Sequence, residues 1–171
     1  SLRQWWSGDV AIFTDETGRP FNQRIVDDDP FHRSLLVPFK PYKKETHGNG
    51  AGYLNKTMMI DMSPFGLNVF LDSDTLVVGE IEEMFPADVE VRLTQFCDWV
   101  TNGNKLSKRI MRWAEAMPAE VALQCAHPYP AINTGVMGLS KLSKALSVRW
   151  QEVCKKHVSF MCDELAMQLI F

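Results

Sequence analysis

Residues Asn68-Val69-Phe70-Leu71-Asp72-Ser73-Asp74-Thr75-Leu76-Val77-Val78 read as a buried strand that runs into two acids spaced one apart, then turns apolar again. A strand ending on Asp-x-Asp presents two carboxylates at the carboxyl edge of a sheet, where open α/β folds bind their ligands. In an extended backbone, residues i and i+2 point to one side. Asp72 and Asp74 are therefore expected to converge on one hard cation, with Ser73 facing away. Oxygen ligands of this kind suit magnesium or manganese, which readily bridge to phosphates. The competing reading of an isolated Asp-x-Asp is a pair of acids that ends a strand and opens a turn. The rest of the chain decides between them.

With 171 residues, the chain is long enough for one domain with one sizeable core. A hydrophobic content of 46% and a charged content of 23% are ordinary for a globular protein. The net charge of −3 argues against nucleic acid as the main partner. No run of about 18 apolar residues is present, so no membrane span is expected. The opening Ser1-Leu2-Arg3-Gln4-Trp5-Trp6 lacks a signal-peptide pattern, and the chain ends on the apolar Leu169-Ile170-Phe171. The expectation is a single domain over residues 1–171, truncated at both ends. Cys97, Cys125, Cys154 and Cys162 show no zinc-ligand spacing and no Cys-x-x-Cys, and read as small buried apolar residues.

Before the Asp-x-Asp, residues 10–14 and 33–39 read as strands, and residues 40–52 as an exposed loop. Leu54, Met58 and Met62 follow helical spacing up to Ser63-Pro64. After it, residues 79–85 read as a short helix stopped by Pro86, and residues 89–96 as a strand. Residues 107–117 read as a helix, and residues 132–139 as a short strand broken by Gly135 and Gly138. Residues 141–157 form an amphipathic helix with Leu142, Leu146, Trp150 and Val153 inward, and Asp163 opens a last helix. Such alternation predicts an α/β sandwich around a mainly parallel sheet.

Three further features accompany the Asp-x-Asp: Lys56 on the preceding helix, Pro130-Ala131-Ile132-Asn133-Thr134-Gly135-Val136-Met137, and Phe160-Met161-Cys162-Asp163-Glu164-Leu165. With Ser63-Pro64-Phe65, this order resembles the GT-A glycosyltransferases, closest to the glycogenin and bacterial galactosyl- and glucosyltransferase branch. The likeness covers residues 50–86 and 128–171.

The resemblance implies a GT-A-like (Rossmann-like) three-layer α/β/α sandwich with a mainly parallel central sheet. It implies sugar transfer, with retention, from a nucleotide-diphosphate sugar such as a UDP-sugar to a glycan, protein or lipid acceptor. Asp72 and Asp74 would hold Mn2+ or Mg2+ on the donor diphosphate, with Ser73 near the ribose. Lys56, Asn133, Thr134 and Gly135 would line the donor site, and Asp163 with Glu164 would serve catalysis at the sugar hydroxyls.

On the residues alone, Lys56 also reads as a solvated helix lysine, Asn133 as a turn former, and Asp163 as a helix cap. Two departures from the family stand out. Its first strand, which contacts the base, has no counterpart before Leu2-Arg3, and its C-terminal metal-ligand His segment is not reached.

Two other classes compete. One is a non-catalytic nucleotide-sugar or carbohydrate binder. The other is Asp-based phosphoryl transfer of the haloacid-dehalogenase kind, against which Leu76 stands where that motif has Thr or Val. Asn55-Lys56-Thr57 matches a glycosylation acceptor, and a donor-facing Lys56 predicts that Asn55 is unmodified.

Overall fold

Two strands that stand side by side here, β1 (Val10–Thr14) and β2 (Ser34–Pro38), run parallel, with Val10 opposite Ser34 and Thr14 opposite Pro38. The computed structural model that shows them describes residues 2–42, 51–86, 88–89, 91–95, 118–119, 132–140, 144–156 and 163–171. A short helix, α1 (Leu2–Trp5), leads into β1. Helix α2 (Arg19–Asp27) makes the crossover to β2. From the sequence no element is assigned to residues 19–26, although Pro20 sits in the first helical turn. Pro in the first helical turn is tolerated, since its missing N–H has no intrahelical partner anyway.

Arg3 and Asp29 tie this unit together. The Arg3 guanidinium donates to Asp29 Oδ2 at 2.7 Å, to Ser34 Oγ at 2.9 Å and to Gly8 O at 2.7 Å. Asp29 also accepts the N–H groups of Phe31 and Arg33, which shapes the turn into β2. In that turn His32 adopts a left-handed φ of 52°.

Helix α3 (Ala51–Met62) precedes β3 (Leu67–Leu71), followed by β4 (Val91–Gln95) and β5 (Ile132–Ser140). These strands form an antiparallel sheet in the order β3-β5-β4. The described strands are thus a parallel pair and an antiparallel trio, not the one mainly parallel sheet expected. Strand–helix alternation sets the length of the connections but not the direction of the returning strand. The central strand β5 runs against both of its neighbours.

Residues 79–85 hold only a single 3₁₀ turn, Glu82–Met84. Gly135 and Gly138 do not break β5, which continues through both. At Gly138 the backbone of the Glu82–Met84 turn comes so close that a Cβ would collide with the Met84 carbonyl oxygen. Only a residue without a side chain fits that crossing.

Helices α4 (Lys144–Lys156) and α5 (Asp163–Gln168) complete the described elements, and α3, α4 and α5 pack on one another, with α5 also on β5. The core lies at this junction: Leu54 of α3, Met137 and Leu139 of β5, Trp150 and Cys154 of α4, and Leu165 and Met167 of α5. Leu146, Trp150 and Val153 face inward as their spacing predicts, and Leu142 lies outside the described residues. Cys154 is buried in the core; the other three cysteines lie outside the described residues, as does the helix expected over 107–117.

Between β1 and β3 lies a cavity of about 1100 Å3. Val10 and Ile12 line one side and Val69 and Leu71 the other, with Lys56 and Asp72 among its polar groups. Trp6 stacks on Phe85 with ring centroids 5.2 Å apart, linking the α1–β1 segment to the chain that follows β3.

Candidate functional site

Strand β3 ends at Leu71, one residue before the first acid. The Asp72 N–H donates to Gly135 O at 2.8 Å, a last ladder bond to β5. The chain then turns: Thr75 N–H donates to Asp72 O at 3.0 Å, with Ser73 and Asp74 exposed at the tip. The extended Asp-x-Asp expected from the sequence therefore does not form. Both acids belong to a turn, so their relation is set by the turn and not by strand pleat. Leu76 and Val78 beyond it are largely exposed.

Lys56 reaches Asp72 from α3. Its Nζ lies 3.0 Å from Asp72 Oδ2, 2.7 Å from Asp163 Oδ2 and 3.1 Å from Thr134 Oγ1. It also stands 5.3 Å from the centroid of the Phe70 ring. The solvated-lysine reading fails here, because the Lys56 side chain is only 12% exposed. Helix α3 turns Leu54 and Thr57 into the core, which directs the neighbouring Lys56 to the end of β3.

Asp163 is buried at the start of α5, where Trp150 Nε1 donates to its backbone oxygen at 2.8 Å. Its carboxylate accepts from Lys56 and, at 2.5 Å, from the Thr134 hydroxyl. Thr134 is itself fully buried, so it holds the two charged groups from behind instead of facing a ligand.

The position of Thr134 comes from a bulge. Leu93 pairs with Met137 but the next residue, Thr94, pairs with Asn133, so residues 134–136 of β5 have no partner on β4. Thr94 Oγ1 lies 3.1 Å from both Asn133 O and Val136 O, bridging the base of the bulge. Met137 and Leu139 point to the helices, and in a regular strand Thr134 would point the opposite way. The bulge shifts that alternation and brings Thr134 to the helix side, against α3 and α5.

Inside the bulge Asn133 Oδ1 accepts the Gly135 N–H at 2.7 Å. A Cβ on Gly135 would lie 2.9 Å from Asn133 Oδ1 and 3.2 Å from Asp72 Oδ2, so glycine keeps the flank of the Asp72 carboxylate clear. Glu164 is half-buried and lines the cavity with Asp163.

The sequence names Lys56, Asp72, Thr134, Gly135 and Asp163, and the structure brings them together. Asp74 and Ser73 share the turn, exposed, and Glu164 sits beside the group. Thr94 and Trp150 are supports that the sequence does not single out. A threonine in a strand and a tryptophan on a helix stripe carry no local signal of such a role. Asn55, beside Lys56, accepts the Tyr42 N–H at 2.6 Å through its side-chain oxygen.

Among the described residues no three acidic, histidine or cysteine side chains are grouped to hold a metal by themselves. Also among them, no helix is long and apolar enough to cross a membrane. Comparison of the chain with models of protein families, with curated proteins and with solved structures finds no match in any of the three.

Proposed function

We propose that this chain carries the donor site of a metal-dependent glycosyltransferase of GT-A type, acting on a nucleotide-diphosphate sugar, with UDP-sugars the first to test. The observation that carries this reading is the meeting of Lys56, Asp72, Thr134 and Asp163 from four separate segments. These are positions that the sequence resemblance marks, and a chance set of strand and helix caps would have no reason to share one ammonium group.

The donor set is consistent with a hard divalent ion. Asp72 and Asp74 offer carboxylate oxygens on one exposed turn, and Gly135 leaves the flank of Asp72 open. With only two protein ligands, an ion there would take its remaining oxygens from phosphate and water, as magnesium and manganese commonly do. When bound, Mn2+ or Mg2+ would supply Lewis-acid stabilisation of a departing diphosphate.

The chain's own residues have separate tasks in this reading. Lys56 orients Asp72 and Asp163 and adds positive charge beside the leaving group. Thr134 fixes Lys56 and Asp163 from the buried side. Asp163 and Glu164 offer oxygens to sugar hydroxyls next to the cavity. The finer GT-A architecture and retention of configuration belong to the same proposal, as do donor and acceptor.

A second reading, nucleotide-sugar binding without transfer, is favoured by one observation: Asp163 Oδ2 is already engaged by Lys56 and Thr134. Release of UDP from UDP-glucose or UDP-galactose in the presence of Mn2+ tests both. UDP release abolished by Asp74→Asn is the expected result. Manganese-dependent UDP binding without release would favour the binder, and neither binding nor release would end both readings.

A further inference from the structure

Lys56 has three N–H donors, and three acceptors surround it: Asp72 Oδ2 at 3.0 Å, Asp163 Oδ2 at 2.7 Å and Thr134 Oγ1 at 3.1 Å. An incoming phosphate therefore finds no N–H on this lysine until one of the three acceptors lets go.

The acceptors are unequal. Thr134 is fully buried and the Asp163 side chain is 9% exposed, whereas the Asp72 side chain is 36% exposed at the mouth of the site. Asp72 is the partner that a solute can reach, and it opens a turn, whereas Asp163 is held in a buried helix start. The local charge points the same way. Asp72, Asp74 and Asp163 stand against the single ammonium of Lys56 within this group, leaving it net negative and repulsive to a diphosphate.

We propose that Lys56 is a coupling lysine: its bond to Asp72 masks it from anions, and a divalent cation on Asp72 and Asp74 unmasks it. The cation competes for the Asp72 oxygen that Lys56 holds. Once that bond is surrendered, Lys56 keeps Asp163 and Thr134 and has one N–H to offer to a phosphate. Cation binding then strengthens anion binding through the lysine as well as through direct ion–phosphate contact, and by linkage the anion strengthens cation binding to the same degree. Lys56 acts as a phosphate ligand only in the cation-loaded state. This inference rests on the donor-site reading above and adds its order of events.

The test is calorimetric titration of UDP with and without Mn2+, and of Mn2+ alone, into the wild-type chain, Lys56→Met, Asp72→Ala and Asp74→Ala, with circular dichroism confirming the fold. A plain phosphate-binding lysine would lose UDP affinity in Lys56→Met under both conditions. A coupling lysine loses far more with Mn2+, by about tenfold or more, than without it, where only the missing positive charge weakens UDP binding, and Mn2+ alone binds more tightly. Asp72→Ala frees Lys56, so cation-free UDP binding rises several-fold. Asp74→Ala removes an equal charge without touching Lys56 and raises it less.

Equal losses in Lys56→Met with and without Mn2+, or equal gains in the two aspartate variants, would overturn the coupling and leave the donor-site reading standing. A wild-type chain that binds neither Mn2+ nor UDP would overturn both. If Lys56→Met fails to fold, the comparison of Asp72→Ala with Asp74→Ala still decides.

Discussion

Asp163 and Lys56 are buried together at 2.7 Å, with side chains 9% and 12% exposed. Removing one partner of such a pair leaves the other as an uncompensated buried charge, which typically costs about 3–5 kcal/mol. Lys56→Met and Asp163→Asn are each expected to destabilise the chain on that scale in urea unfolding. The double variant should lose clearly less than the two losses added, because it leaves no unpaired charge in the interior. Additive losses would show that the two groups do not depend on each other.

A different carboxylate contributes to the acid response. Burial alone would raise the Asp29 carboxyl, but the Ser34 hydroxyl, the N–H groups of Phe31 and Arg33, and Arg3 outweigh it and hold it well below its ordinary value of 3.8. A carboxylate depressed in the folded state contributes stability that is complete above its unfolded pKa and is lost as pH falls toward the folded one. The wild-type chain should therefore lose stability from about pH 5 downward. Asp29→Asn should be less stable at neutral pH and show a flatter slope through the acid range, read as the urea midpoint against pH.

Among the elements, β5 does the most to position the site. Its first half carries the bulge that aims Thr134 at Lys56 and Asp163, and its second half buries Met137 and Leu139 in the core. Its two glycines serve different ends. Gly135 leaves room beside the Asp72 carboxylate, and Gly138 lets the Glu82–Met84 turn cross the strand. Overpacking at a close backbone approach commonly costs about 1–3 kcal/mol and sometimes more. The Met84 carbonyl that a side-chain carbon at Gly138 would strike is backbone and cannot rotate away. Gly138→Ala is therefore expected at or above the upper end of that range by chemical denaturation. A near-neutral result would mean that the turn moves freely against β5.

For the molecule as a whole, buried apolar side chains are distributed unevenly. The core cluster belongs to α3, β5, α4 and α5, while the β1–α2–β2 unit contributes none of its residues and is tied by Arg3 and Asp29. The cavity of about 1100 Å3 lies between that unit and β3. On helix α2, Phe21 and Ile25 remain exposed. Local opening free energy follows buried apolar contact. Amides of β1 and β2 should accordingly exchange with solvent faster than those of β5 and α4 in native-state hydrogen exchange. Equal protection across both regions would indicate one cooperative unit.

Sequence by itself determined most of the local elements, α2 excepted, and the chemistry on offer. Apolar runs placed β1, β2 and β3, helical spacing placed α3 and α4, and Asp163 marked the start of α5. These are read from neighbours along the chain, and periodicity reports them directly. The family resemblance carried by the Asp-x-Asp and its companion segments also implied Lys56, Asn133, Thr134, Gly135 and Asp163 as one group. Only the tertiary structure decided how the strands run, since pairing direction depends on long-range return paths. It alone showed that Asp72 and Asp74 lie on a turn, because the last ladder bond to Gly135 sets where β3 stops. It alone showed the bulge that turns Thr134 inward and the three-way capture of Lys56, for these rest on Thr94 and on a register shift between strands far apart in sequence.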